Sequence, residues 1–408
     1  MPTKLATGLC IGTGGAAVVA REAAMQAKEE LKDRRIDLSI IYSSSEYDPR
    51  EVVSAVRKVT GDALLIGASS AGEFTERKIE SGSVAVGLLS SDEIKIFTAI
   101  AEGVTRDPES AVKEIAAKLP DEVVDYPYMT AIVMIDGLSG VGEEVALLAS
   151  YILDRKMRIV GGMAGDDFKM KETFVFCNDR VATDALSVCL FASKMPLFTG
   201  VKHGHTPISR AHKVTRAQTN VLHEINDAPA WDVWKEETAE ISRNRGVDVE
   251  KLVDPVEIAQ FFTNYSLGLA TEKEGQYKIR WPVSINDDGA LNFTCGITEG
   301  SIFRIMDGSD HENQINAAEG AAVLAKESAE NAGYFEFAGM LVFDCAVRQL
   351  MLGDRFHEAV DRFKKVLPGV PILGWETYGE LRLEPGQFSG FHNTTSVVLL
   401  LPDGSRTA

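Results

Sequence analysis

The sequence predicts an α/β protein: two related halves with mixed β-sheets and outer helices, built from internal strand-helix-strand-helix-strand repeats. Three observations predict it. One phrase occurs twice, as Leu65-Ile66-Gly67-Ala68-Ser69-Ser70-Ala71-Gly72-Glu73-Phe74 and as Ile372-Leu373-Gly374-Trp375-Glu376-Thr377-Tyr378-Gly379-Glu380-Leu381. Both copies fit apolar-apolar-Gly-x-x-[Ser/Thr]-x-Gly-Glu-apolar, and a weaker third copy runs from Ile159 to Phe168. Residues 5–101 and 299–401 also share one order of local signals: strand, helix, strand, helix, strand, Gly-Glu turn, strand. A partial copy of that order lies between them, and matched order favours duplication over chance.

In the first copy, residues 5–12 read as a strand. Ala16 to Leu31 follows with helical periodicity, small and apolar residues on one face and Lys28, Glu29 and Glu30 on the other. Ile36 to Tyr42 is an apolar, strand-like run. Asp48-Pro49 supplies a cap and a first-turn proline for a helix that stops at Gly61. Leu64 to Ile66 is a short buried strand entering the phrase. Ser83–Leu89 and Ile94–Ala101, joined by Ser90-Ser91-Asp92-Glu93, read as a hairpin.

The middle copy has strands at Ala131–Ile135 and Arg158–Val160 around a helix from Gly142 to Leu153, then strands at Phe174–Phe176 and Leu186–Phe191. In the last copy Ser301–Met306 reads as the first strand. Asp310 caps a helix that runs to Asn331 and ends before Gly333. Met340–Phe343 is an apolar strand, Asp354–Val366 an amphipathic helix broken by Pro368-Gly369, and Pro371–Leu373 the strand entering the second phrase. Thr395–Leu401 is the final strand. Between these copies lies a different texture. It has a helix from Ala230 to Ile241 carrying Trp231 and Trp234, then a strand pair around the turn Asn286-Asp287-Asp288-Gly289.

Composition narrows the function classes. A 408-residue chain with 45% hydrophobic and 25% charged residues has an ordinary globular composition. No stretch approaches the roughly 18 apolar residues of a membrane span, and the N-terminus lacks a secretory h-region. A net charge of −18 without a basic stripe argues against nucleic acid. The five cysteines form no Cys-x-x-Cys pair, which fits free thiols in a reducing compartment. The expectation is therefore a cytoplasmic protein with neither membrane nor nucleic acid as partner.

The repeated phrase is the leading candidate for chemistry. A sharp glycine turn at Gly67 or Gly374 would expose backbone N–H groups which, with Ser69, Ser70 or Thr377, could hold a carboxylate or phosphate. Glu73 and Glu380 could accept from an ammonium group, and Glu376 is a further ligand-binding candidate in the bulkier, polar second loop. The alternative is that Glu and Ser cap the turn and brace a neighbouring repeat. The adjacent carboxylates Asp166 and Asp167 follow Gly161-Gly162, as cation ligands or, more simply, as a turn with a cap. Arg348, beside Cys345, could clamp an anion and lower the thiol pKa; Arg280 is a second clamp. His392 and Asn393 precede the final strand, where ligands of α/β sheets collect. His203 and His205, two residues apart, share one face if extended. The sequence contains no Walker loop, nucleophile elbow, zinc spacing or dinucleotide fingerprint. Gly12-Thr13-Gly14-Gly15 is only a faint nucleotide-loop echo.

Taken together, the motifs resemble the FIST domain family in its N-terminal and C-terminal parts. The resemblance is carried by Ile66-Gly67-x-Ser69-Ser70-x-Gly72-Glu73, Asp136-Gly137-Leu138-Ser139-Gly140 and Gly161-Gly162-x-Ala164-Gly165-Asp166-Asp167. It continues in His203-Gly204, Pro207, Val214-Thr215 and Asp227-x-Pro229-Ala230, then Arg280, Gly289-Ala290-Leu291 and Glu299-Gly300. Cys345-x-x-Arg348, Gly379-Glu380 and His392-Asn393-Thr394 complete it. It implies a FIST N-terminal-like domain over 1–215 and a FIST C-terminal-like domain over 216–408. It also implies a cytoplasmic sensory module, not an enzyme, that binds an amino acid or related small molecule. Only about seven residues follow the last expected strand, so signalling would occur in trans, to a histidine kinase or chemoreceptor. The resemblance leaves three alternatives. A haem-binding nitric-oxide sensor would use His203, His205 or His392 as axial ligand. An enzyme would use Cys345 as nucleophile. A protein-interaction scaffold would need neither. No cofactor is expected outside the haem alternative.

Overall fold

The structure is a computed structural model, and it describes residues 1–153, 157–271, 275–385, 387 and 390–405. Three copies of one unit organise it. In the first unit, strands Lys4–Cys10, Val84–Ser90, Leu38–Ser44 and Leu64–Ser70 lie side by side in that order. Its helices Ala16–Leu31 and Pro49–Thr60 pack on one face. The second unit repeats the order with Ile94–Glu102, Ala185–Ser193, Tyr128–Ile135 and Arg158–Met163. The third does so with Phe198–Lys202, Ser396–Pro402, Phe337–Cys345 and Ile372–Thr377. In every unit the two strands flanking the second helix run parallel and the other pairs antiparallel. Sheets are thus mixed and helices lie outside, as the sequence predicts.

Local signals behave as expected. Asp48 Oδ1 accepts from the backbone N–H groups of Arg50 and Glu51 at 2.8 and 3.1 Å, and Asp310 Oδ1 from that of Asn313 at 3.1 Å. These carboxylates satisfy donors that a helix start leaves unpaired. The last helix, Phe356–Val366, is preceded by a 3₁₀ turn and by an additional short helix, Ala346–Leu352, that the sequence did not announce.

The long-range arrangement differs in two places. Val84–Ser90 and Ile94–Glu102 do not form a hairpin; they belong to different sheets. Val84–Ser90 is inserted between two strands of its own sheet, and Ile94–Glu102 pairs with Ala185–Ser193, so both find partners elsewhere. Likewise Ile302–Asp307 is not the first strand of the third unit. That role falls to Phe198–Lys202, paired with Ser396–Pro402. Residues 206–307 form an insert between this strand and its helix, His311–Asn331. The insert folds as a separate nine-stranded sheet with helices Ala230–Asn244 and Pro255–Asn264. The expected division at 215/216 falls within its strand His212–Gln218.

The segment after each glycine turn leaves its own unit. Glu73–Thr75 pairs with Ile372–Thr377 of the third unit, Glu380–Leu383 with Arg158–Met163 of the second, and Val175–Cys177 with Leu64–Ser70 of the first. The exchange closes a ring. The inner faces of all three sheets share one core, with Ile66, Met134, Val160, Phe343 and Leu373 among its members. Trp375 stacks on Tyr42 across that core at 5.0 Å. Each unit alone would expose an apolar sheet face and an open edge, so the hydrophobic effect favours closing the ring.

Candidate functional site

The phrases converge where the three units meet, but their glycines act as packing points. Gly67 and Gly374 lie inside strands. A Cβ at Gly67 would stand 2.3 Å from the Ile41 carbonyl oxygen, and one at Gly374 would stand 2.1 Å from the Phe74 ring. The chain turns later, at Gly72, Gly165 and Gly379, and the turns are tied to each other. Ala71 N–H donates to the Glu376 carbonyl at 3.1 Å, and Glu376 N–H to the Gly72 carbonyl at 3.0 Å. Gly165 N–H donates to Ser69, Met163 N–H to Gly379, and Tyr378 N–H to Met163. These backbone donors therefore bind protein, not ligand.

Glu73 and Glu380 sit in equivalent cradles. Ser70 donates its hydroxyl to Glu73 Oε1, while Ser83 donates hydroxyl and N–H to Oε2 at 2.6 and 3.2 Å. Thr377 donates its hydroxyl to Glu380 Oε1 at 2.9 Å, and Thr395 donates hydroxyl and N–H to Oε2 at 2.7 and 3.1 Å. Both carboxyls are fully buried, and burial pushes each up to about 8 despite these donors. Ser69 accepts from the Phe174 N–H at 2.9 Å. Asp166 accepts from Tyr378 Oη and from the N–H groups of Met170, Lys171 and Glu172, as a turn cap does.

Glu376 is different. It is fully buried, and neither carboxylate oxygen has a hydrogen-bond partner. It lies opposite Asp344 across the parallel strand pair. Arg348, also fully buried, donates from Nε to Asp344 Oδ1 at 2.7 Å and from Nη1 to Gln314 Oε1 at 3.0 Å; its Nη2 has no partner. Burial holds the Glu376 carboxyl well above the usual range, and Asp344, Glu73 and Asp167 add to the effect against Arg348. Burial likewise raises Asp344, opposed by Arg348 and by the Ser396 hydroxyl. Unpaired polar atoms at this depth cost about 1–3 kcal/mol each.

A surface cleft of about 390 Å³ is lined by Gly12, Thr13, Glu46, Tyr47, Ser81 and Asp167, the last of which bears electrostatically on Glu376. Asp167 Oδ2 accepts from Ser44 Oγ, Ser45 N–H and Ser45 Oγ, while its buried Oδ1 has no partner. Gln349, next to Arg348, donates to Ser81 at 3.1 Å.

The remaining candidates form a second group under the insert. Arg280 donates from Nη2 to Glu143 Oε1 at 2.5 Å and from Nη1 to the Phe391 carbonyl at 3.3 Å. Asn393 Oδ1 accepts from Thr294 and Cys295. Burial among Lys278, Arg280 and Arg382 lowers His392 to about 3. These contacts dock the insert against the second and third units. Arg348 does not activate Cys345: burial and the facing Glu380 push that thiol well up, so it is a poor nucleophile. Haem does not fit at His205. A Cβ on Gly308 would stand 2.5 Å from His205 Nε2 and 2.7 Å from Met351 Cε, leaving no space for a porphyrin on that nitrogen. Burial also lowers His203, to about 4.

The FIST N domain matches residues 37–228 and the FIST C domain residues 230–382. The chain belongs to the FIST family. FIST domains are described as small-ligand-binding sensory domains of signalling proteins. An uncharacterized protein of Methanocaldococcus jannaschii is 24% identical over 356 residues, which cover 81% of this chain and 66% of that protein. Among the described residues, no helix of this FIST chain is long and apolar enough to cross a membrane. No group of three His, Cys, Asp or Glu side chains there could hold a metal ion.

Of the predicted site residues, the FIST fold brings Ser69, Ser70, Glu73, Glu376, Thr377, Glu380, Cys345 and Arg348 to the junction of the units. Arg280, His392 and Asn393 lie at the insert interface. Asp344 and Gln314 belong to the orphaned cluster without having been singled out, and Asp167 joins it, which the sequence offered only beside Asp166 as a cation ligand or turn cap. Asp344 did carry a signal: an acidic residue ending the apolar run Met340–Phe343.

Proposed function

We infer that this FIST chain is a cytoplasmic sensor that binds an amino acid or a related small zwitterion at Arg348 and Glu376. The observation that carries this reading is the pair of complementary orphans, a carboxyl without donors and a guanidinium Nη2 without an acceptor, both fully buried and linked through Asp344. The Arg348 Nη2 would take the ligand carboxylate and Glu376 its ammonium group, with the neighbouring cleft as the route of entry. Transfer of such groups from water is costly unless each meets a partner, which selects ligands carrying both charges. Output then passes in trans, to a partner such as a histidine kinase or chemoreceptor, through altered packing of one unit on another. A thermal-shift screen of the standard amino acids and simple monocarboxylates tests this. At least one amino acid should raise the melting temperature saturably, and the simple carboxylates should do so less. A flat response across the whole set would refute it.

A further inference from the structure

Three glutamates lie at the junction of the units at the same depth, and they are not treated alike. Glu73 and Glu380 each receive three donors from their own unit. Glu376 receives none. Its oxygens instead face the Gly72 backbone so closely that a Cβ there would stand 2.6 Å from Oε1 and 2.9 Å from Oε2.

The charged groups bearing on Glu376 come from four elements. Asp344 is its partner across the parallel strands, Glu73 follows the Gly72 turn, and Asp167 lines the cleft. Arg348, on the short helix Ala346–Leu352, is the single cation of the group. That cation is already committed to Asp344 through Nε. Ionising Glu376 here would place beside the paired Asp344 a carboxylate with no cation of its own in the interior, which is far costlier than leaving it as the neutral acid. An arriving ammonium group reverses the balance, because it supplies the missing positive charge together with donors for both oxygens.

We propose, on the reading of Arg348 and Glu376 as the ligand site, that Glu376 is a neutral carboxylic acid in the free protein and exchanges its proton for the cationic group of the ligand. The O–H bond of Glu376 breaks, its proton passes to solvent, and the resulting carboxylate pairs with the incoming ammonium. Binding is thereby coupled to proton release, and acid competes with ligand for the same oxygens. A ligand lacking a cationic group gains nothing from this exchange.

Two measurements test the proposal. The first needs no ligand: the infrared carbonyl band of protonated carboxyls at pH 7, compared between the wild-type protein and E376Q. One carboxylic-acid band should vanish in the variant, and an unchanged band pattern from folded E376Q would overturn the proposal. The second is calorimetric titration of wild-type protein, at pH 7 in two buffers of different ionisation enthalpy, with the amino acid giving the largest melting shift and with methylammonium chloride. About one proton should be released per bound molecule. A binding heat independent of buffer would overturn the exchange while leaving amino-acid binding intact. If no amino acid binds, the site reading fails, and the infrared comparison still decides whether Glu376 carries a proton.

Discussion

Replacing Glu73 and Glu380 by glutamine should flatten the dependence of stability on pH. Both carboxyls are held up to about 8 in the folded protein, against an ordinary value of 4.5. Between these values the folded state keeps a proton that the unfolded state has lost. The stabilisation from each group is therefore full below about 4.5 and lost as pH rises through about 8. Within that window each contributes a slope of about 1.4 kcal/mol per pH unit, so the pair contributes about 2.8 kcal/mol. An unfolding entropy of roughly 0.9 kcal/mol/K for a chain of this size converts the pair's slope to about 3 °C per pH unit. Glutamine preserves the shape and most hydrogen bonds of a neutral glutamic acid. At Glu380 its carbonyl can accept from Thr395 and its amide can donate to Thr377 Oγ1. The double variant should therefore melt within a few degrees of wild type at pH 5.5. Between pH 5.5 and 7.5 it should lose about 6 °C less than wild type. Calorimetric melting of both proteins across that range measures the difference. Parallel pH profiles, with the variant uniformly less stable, would mean that the glutamates are ionised in the fold and that this reasoning is wrong.

Two structural substitutions probe the junction directly. Gly72→Ala places a methyl 2.6 Å from Glu376 Oε1; it should cost about 1–3 kcal/mol and abolish any ligand-induced melting shift. Denaturant unfolding and the amino-acid screen, run side by side, would show both effects. Phe74→Ala removes a fully buried ring that touches Phe356 and Phe363 from the exchanged segment Glu73–Thr75. It should cost about 3–5 kcal/mol, and a loss below 1 kcal/mol in denaturant melts would argue against the exchange.

What could be read in the sequence was what local chemistry encodes. Asp48-Pro49 and Asp310 mark helix starts because a cap depends on a few adjacent residues. The two phrases announce repeats because both copies keep the same glycines and glutamate. Strand partners were not legible in this way. Nothing in Glu73–Thr75 states that it pairs with Ile372–Thr377 and leaves its own unit, since an edge pairing depends on distant geometry. Ser301–Met306 reads as the first strand of the third unit because it immediately precedes that unit's helix. The true first strand, Phe198–Lys202, is separated from the helix by the whole insert. At the site, Glu376 and Arg348 were visible as candidate residues, whereas their isolation was not. A missing hydrogen-bond partner is a property of the surroundings, and only the assembled fold shows that Glu73 and Glu380 are satisfied while Glu376 is left bare.

The symmetry of the core clarifies why one unit carries the charge. At the positions equivalent to Asp344 and Glu376, the first unit pairs Ser43 with Ser69 and the second pairs Ile135 with Met163. Only the third unit sets two carboxyls against each other, so the proposed ionic ligand would have one site to choose, not three. That site is nevertheless tied to the whole ring. The Glu376 backbone exchanges hydrogen bonds with Ala71 and Gly72 of the first unit, whose Ser69 carbonyl accepts from Gly165 of the second, whose Met163 in turn donates to Gly379 of the third. A displacement of Glu376 toward a bound cation would pull on a closed circuit of backbone contacts. Packed cores respond to such a pull by switching between discrete arrangements rather than by stretching, which is the mechanical requirement for a buried charge to be sensed at the surface.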